Sequence, residues 1–260
     1  MTTPTDPASR APIDSVATSL PYVDHVRTDG NRVAEVLRIG PLDAAVASCP
    51  GWTLRDLGQH LGFVHRWARL AAATGAPPDT SAIDGPPADP TPESLADWFA
   101  AGVDALVATL ADLDLGGPTW HPFTAPQVAA VWPRRQAHET SVHRWDAESA
   151  TGVQTPLDPA LAADGIAEYF ELIVPRIVAR DARTMPIGTL QLACTDTGSS
   201  FTVTSADGKA IGFAAGNADA PRATVVGPAE ALLLALWGRR PLDDPPDDAL
   251  ALEWFGVGGN

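Results

Sequence analysis

Cysteine is nearly absent: Cys49 and Cys194 are the two in 260 residues. Such a pair builds neither a disulfide framework nor a cysteine-based zinc site. Basic charge is also scarce, with Lys+Arg 17 against Asp+Glu 32 and a formal net charge of −15. Without a basic surface to displace phosphate counterions, non-specific nucleic-acid binding is excluded, and so is attraction to an anionic membrane surface. No apolar run approaches the roughly 20 residues of a membrane span. Residues 1–20 are rich in Pro, Thr, Ala and Ser and lack a hydrophobic signal core, so they are expected to form a flexible arm on a cytoplasmic protein. There is no internal repeat and no interface signature, which favours a monomer.

Apolar residues make up 45% of the chain, enough for a real core. From Tyr22 to Ser149 their spacing is helical. Val23, Val26, Val33 and Leu37 mark a first helix, stopped by Gly40-Pro41. After the turn Cys49-Pro50-Gly51-Trp52, Thr53 reads as an N-cap with Asp56 three residues later. The second helix carries Leu57, Leu61, Val64 and Ala68 to about Ala73. A Pro/Gly/Asp loop over 75–92 precedes a third helix, marked by Leu95, Phe99, Val103, Leu106 and Leu110. A fourth starts near Gln127 or Pro133 and runs to Ala150. Four such helices predict a bundle over 21–152.

The pattern changes beyond Gly152. Asp158-Pro159 opens a helix with Ile166, Phe170, Ile173 and Ile177 on its buried face. Short β-type runs follow at 188–195, 201–205, 210–214 and 223–226, and Pro228 starts a last helix through Leu236. Residues 153–260 therefore read as a small α+β domain with an antiparallel sheet.

The candidate chemistry is in Ala137-His138-Glu139-Thr140-Ser141-Val142-His143-Arg144-Trp145-Asp146. Glu139 and His143 are four residues apart, which stacks them on one helix face. Taken alone, such a pair is ordinarily a surface ion pair. Carboxylate and imidazole together suit zinc and neighbouring divalent ions, but a third ligand must come from elsewhere. His60 is the best candidate, because among Leu57, Leu61 and Val64 it should point into the bundle. A buried histidine there needs a hydrogen bond or a metal. Three protein ligands would leave a position open, the catalytic pattern. Arg144 and Asp146 are expected to form a structural ion pair. His138 points away from Glu139, Cys49 reads as a packed small residue, and the tryptophans as core or pocket wall.

The run Ser48-Cys49-Pro50-Gly51-Trp52-Thr53-Leu54-Arg55-Asp56-Leu57-Gly58-Gln59-His60-Leu61-Gly62 resembles the N-terminal signature of the mycothiol-dependent maleylpyruvate isomerase family, a DinB-like group. Arg135 to Glu148, with its His-Glu-x-x-x-His-Arg-x-Asp core, resembles the family's second signature. The stretch Leu232 to Arg239 is similar to its sterol-carrier-like C-terminal domain. The resemblance implies a DinB-like four-helix bundle followed by a small α+β domain, with His60, Glu139 and His143 as ligands to zinc and mycothiol, the thiol of actinobacteria, as cofactor. It also implies Arg239 as a catalytic cation holding substrate or cofactor. The expected activity is thiolate attack on a small electrophile, either cis–trans isomerisation or S-transfer. The alternatives are a metal-dependent hydrolase using water and a non-catalytic small-molecule binder.

Overall fold

The computed structural model describes residues 20–255 and 257, so the arm expected over residues 1–20 lies almost wholly outside the described residues. Four long helices come first: α1 (Tyr22–Ile39), α2 (Leu54–Thr74), α3 (Pro92–Ala111) and α4 (Val131–Thr151). Their ends follow from local chemistry. The Thr53 hydroxyl accepts from the Asp56 N–H while the Asp56 carboxylate accepts from the Thr53 N–H, a reciprocal cap that starts α2. Thr91 and Ser94 do the same for α3, with Pro92 in its first turn. Gly75 and Gly152 stop α2 and α4 in the left-handed conformation that glycine adopts without strain.

Helices α1 and α2 each pack on both α3 and α4, so α1 faces α2 across the bundle diagonal. By length and composition, α3 is the one described helix apolar enough to cross a membrane. Its Leu95, Phe99, Val103, Leu106 and Leu110 are instead buried in the bundle core. Helix α4 is unusual, being mostly polar yet buried on nearly every face. It lies between the bundle and the second half of the chain.

That half begins with α5 (Pro159–Glu168), capped by Asp158, which accepts from the Leu161 N–H at 2.9 Å. A π-helical turn (Tyr169–Ile173) leads into α6 (Val174–Asp181). Strands β1 (Gly188–Cys194), β2 (Ser200–Ser205), β3 (Gly212–Ala215) and β4 (Ala223–Gly227) follow, then α7 (Ala229–Leu236) and a short α8 (Ala249–Leu252) beyond the expected last helix.

The sheet order is β3-β2-β1-β4, and β4 runs parallel to β1. This corrects the wholly antiparallel sheet expected from the turn signals. After β3 the chain crosses the sheet instead of turning back beside it. The buried Gln191 amide pins that crossing, donating to the Gly216 carbonyl at 3.3 Å and accepting from the Ala218 N–H at 2.7 Å. The two cores interlock: Leu161 and Leu172 belong to the bundle core, and Val142 of α4 belongs to the other.

Candidate metal centre

The face of α4 that carries Arg135, Glu139, His143 and Asp146 repeats at intervals of four, four and three residues, so these side chains form one row. Helix α2 lies beside it and supplies His60. Glu139 Oε1 is 3.7 Å from His60 Nε2 and 3.5 Å from His143 Nε2. One atom from each of the three residues lies within 4.8 Å of the others. Ligand atoms around a tetrahedral zinc, with bonds of about 2.0–2.1 Å, stand roughly 3.4 Å apart. Two carboxylate–imidazole edges match that spacing closely.

The expected position of His60 needs correcting. Its side chain is 38% exposed, against 10% for His143. The buried stripe of α2 is Leu54, Leu57, Gly58, Leu61 and His65, and His60 stands on the flank of that stripe, facing α4. The group therefore sits at the rim of the bundle, with its open side on α2. The Trp52 ring forms one wall, 4.8 Å from the His60 ring and 6.4 Å from that of His143.

The surroundings are arranged for positive charge. Burial alone would push the Glu139 carboxyl up, but the adjacent His143 and His60 imidazoles and the charge of Arg135 hold it well below its usual range. Burial disfavours a charged His143, yet Asp146 and Glu139 on either side raise it to about 9. A dication on the same atoms would replace that proton. Asp146 Oδ2 is 2.9 Å from His143 Nδ1, which orients the ring and leaves Nε2 as the ligand atom. Arg135 Nη2 donates to Glu139 Oε2 at 2.7 Å. The donor set, its spacing and these supports all fit a divalent metal.

A second group, Cys49, His143 and Asp146, also comes within 4.8 Å. It fits a metal less well. Arg239 already brings its charge there, 3.3 Å from Asp146 Oδ2 and 3.8 Å from Cys49 Sγ. Burial and Asp146 push the Cys49 thiol up to about 11, so it stays protonated and packed.

Arg239 thus reaches this centre from the second half of the chain, with its guanidinium against Asp146 and the Trp237 carbonyl. The expected Arg144–Asp146 pair does not form. Residues two apart on a helix point in nearly opposite directions. Arg144 pairs with Asp29 and Glu148, both at 2.9 Å, whereas Asp146 serves His143, Ser48 and Arg239. His138 bonds Asp164 at 2.8 Å, on the face toward α5. His65 is buried against Thr140 at 2.9 Å, and His121 bonds the Pro126 carbonyl at 2.9 Å. The contacts of Arg135 with Glu139 and of Asp146 with His143 are absent from the sequence expectations, although the spacing of four and three residues is their signal.

Residues 23–148 match the sequence profile of the mycothiol maleylpyruvate isomerase N-terminal domain, and residues 160–258 that of the MDMPI C-terminal domain. In fold the chain is similar to the crystal structure of a histidine-to-alanine mutant of the mycothiol-dependent maleylpyruvate isomerase. That likeness has a TM-score of 0.62 at 13% identity, over 90% of this chain and 98% of that one. The crystal structure of the mycothiol-dependent maleylpyruvate isomerase itself aligns with a TM-score of 0.59 at the same identity and coverage. No sequence among curated proteins matches the chain.

Proposed function

We propose that this chain, which belongs to the mycothiol maleylpyruvate isomerase family, is a divalent-metal-dependent enzyme that uses mycothiol against an electrophilic small molecule. The reaction class is cis–trans isomerisation of the maleylpyruvate type or S-transfer. The observation that carries this reading is the convergence of His60, Glu139 and His143 at the rim of the bundle, open on one side. Zinc is the metal such a donor set favours. When bound, the dication and the thiol together supply a thiolate at neutral pH, able to add to an activated double bond or to displace a leaving group.

The protein's own part is positioning. Asp146 holds the His143 proton on Nδ1, so that Nε2 keeps its lone pair for a ligand role. The Trp52 ring packs against both imidazoles. Arg239, buried against Asp146, places a positive charge from the second half of the chain beside the ligand row. We assign it to holding Asp146, and through it His143.

Two measurements test the reading. The purified protein should contain close to one equivalent of zinc, and His60→Ala should lose it. Equal metal content in both would remove His60 from the centre. Mycothiol, glutathione and bacillithiol are then titrated into the metal-loaded protein by calorimetry. Mycothiol should bind most tightly, and absence of binding by every thiol would end the thiol-dependent reading.

A further inference from the structure

The two oxygens of Glu139 serve different partners. Oε1 faces His60 Nε2 and His143 Nε2, whereas Oε2 accepts from Arg135 Nη2 at 2.7 Å. Arg135 lies one turn earlier on α4 and is 6% exposed. Its other amino group, Nη1, donates to Glu168 Oε2. Glu168 is the last residue of α5, in the second half of the chain, and is 1% exposed.

Glu168 is held there at a cost. Its Oε1 is buried with no hydrogen-bond partner among the described residues, and an unsatisfied acceptor of this kind is destabilising. The π-helical turn over Tyr169–Ile173 begins on the next residue, and such turns are frequent at functional sites. The Tyr169 ring packs edge-on against Trp237 at 5.2 Å. Trp237 in turn lies 5.8 Å from the Arg135 guanidinium. Arg135 is therefore fixed by Glu168 and Trp237 from one half of the chain while it holds a candidate metal ligand in the other.

We propose that Arg135 and Glu168 are positioning residues for Glu139: Arg135 keeps it a one-oxygen ligand, and Glu168 keeps the guanidinium from competing with the ion, so that the second half of the chain maintains the open coordination position. This inference rests on the metal-centre reading above. With Oε2 engaged, only Oε1 is free to meet the ion. Released, the carboxylate could chelate through both oxygens and occupy the place a thiol needs. Glu168 contributes through charge: it shares the guanidinium, and without it Arg135 bears on Glu139 alone and competes with the cation. The rival explanation is that this ion pair merely joins α4 to α5. Arg134 provides the control. It crosses the same interface, to Asp164 at 2.9 Å and Glu171 at 2.6 Å, and neither carboxylate belongs to the triad.

The test uses the full chain as wild type, Glu168→Gln, Arg135→Lys and Arg134→Lys, with folding checked by circular dichroism. Zinc affinity is read by chelator competition, and coordination number by the visible spectrum of the cobalt(II) form. Glu168→Gln should weaken zinc binding about tenfold. Arg135→Lys cannot fork between two carboxylates, and it should weaken the cobalt d–d bands as coordination rises above four. Arg134→Lys should lower the melting temperature and leave both metal readouts unchanged. The relay is overturned if Glu168→Gln stays within about twofold of wild type in zinc affinity, if the Arg135→Lys cobalt spectrum is unaltered, or if Arg134→Lys disturbs the metal as much as they do. Should Glu168→Gln fail to fold, the cobalt spectrum of Arg135→Lys decides. Wild type that binds neither ion overturns the metal centre and the relay together; wild type that binds, beside indistinguishable variants, overturns the relay alone.

Discussion

A histidine proposed as a metal ligand depends on the group at its other nitrogen, and for His143 that group is Asp146, met through Nδ1 at 2.9 Å. Asp146→Asn keeps the shape but removes the charge that stabilises this tautomer. It also removes the partner of Arg239, 3.3 Å away. Metal affinity should fall 10–100-fold, roughly the loss that follows removal of such an orienting carboxylate; an unchanged dissociation constant in chelator competition would show that the ring is oriented without it. His65 poses a separate question, about stability. Burial holds it down to about 3, below the roughly 6.5 of a free imidazole. The unfolded chain therefore takes up this proton first as pH falls. The contribution of neutral His65 is complete above about pH 6.5 and is lost progressively toward pH 3, with a slope of at most about 1.4 kcal/mol per pH unit. His65→Gln, which retains a donor for Thr140, should flatten the fall in urea midpoint between about pH 6 and pH 4. An unchanged slope would assign that acid sensitivity to other groups.

Helices carry the site, and their close approach depends on small residues. A Cβ on Gly62 would stand 2.2 Å from Trp98 Cζ3. The indole cannot simply swing aside, because Arg66, anchored to the Trp98 backbone carbonyl, lies 4.0 Å over the ring. Gly62→Ala should therefore destabilise the bundle by about 1–3 kcal/mol through overpacking, seen as a lower urea midpoint; a neutral result would mean that α2 and α3 have slack. Neither this contact nor its cost could be read from the sequence, which names no partner for Gly62. Helix starts and stops were legible, since Thr53/Asp56, Asp158-Pro159 and Gly40-Pro41 act through neighbours in the chain. So was the Glu139/His143 pair, fixed by helical spacing alone. The reading failed where distant packing decides. His60, among apolar neighbours in sequence, reads as interior but stands on the flank of that stripe. Turn signals point to an antiparallel β4, whereas the crossing pinned by Gln191 sets its direction parallel to β1.

At the scale of the molecule, the two halves meet through charge as well as apolar surface. Arg134, Arg135 and His138 on α4 face Asp164, Glu168 and Glu171 at the other side. Tyr22 of α1 donates to Asp164 at 2.7 Å. Residues of each half also sit in the core of the other. A sequence counts the two arginines and the three carboxylates in a formal sum and gives no sign that they pair across the two halves. Because neither half can leave without stranding buried ions, the wild type should unfold in one calorimetric transition, with the measured and van't Hoff enthalpies equal. Asp164 is the centre of this network. Against the upward push of burial, His138 and Arg134 hold its carboxyl far below the usual range. Its folded pKa lies below its unfolded one, so its stabilisation is present above about pH 4 and is lost as pH falls below that. Asp164→Asn leaves Arg134 with Glu171 as its one paired carboxylate and His138 without one. The cost should be about 3 kcal/mol at neutral pH, the lower end for breaking a buried pair, and the variant should lose less on acidification than wild type. Scanning calorimetry decides the matter: two resolved transitions in the wild type would mean that the halves fold independently, and an unshifted melting temperature in Asp164→Asn would mean that apolar contact alone joins them.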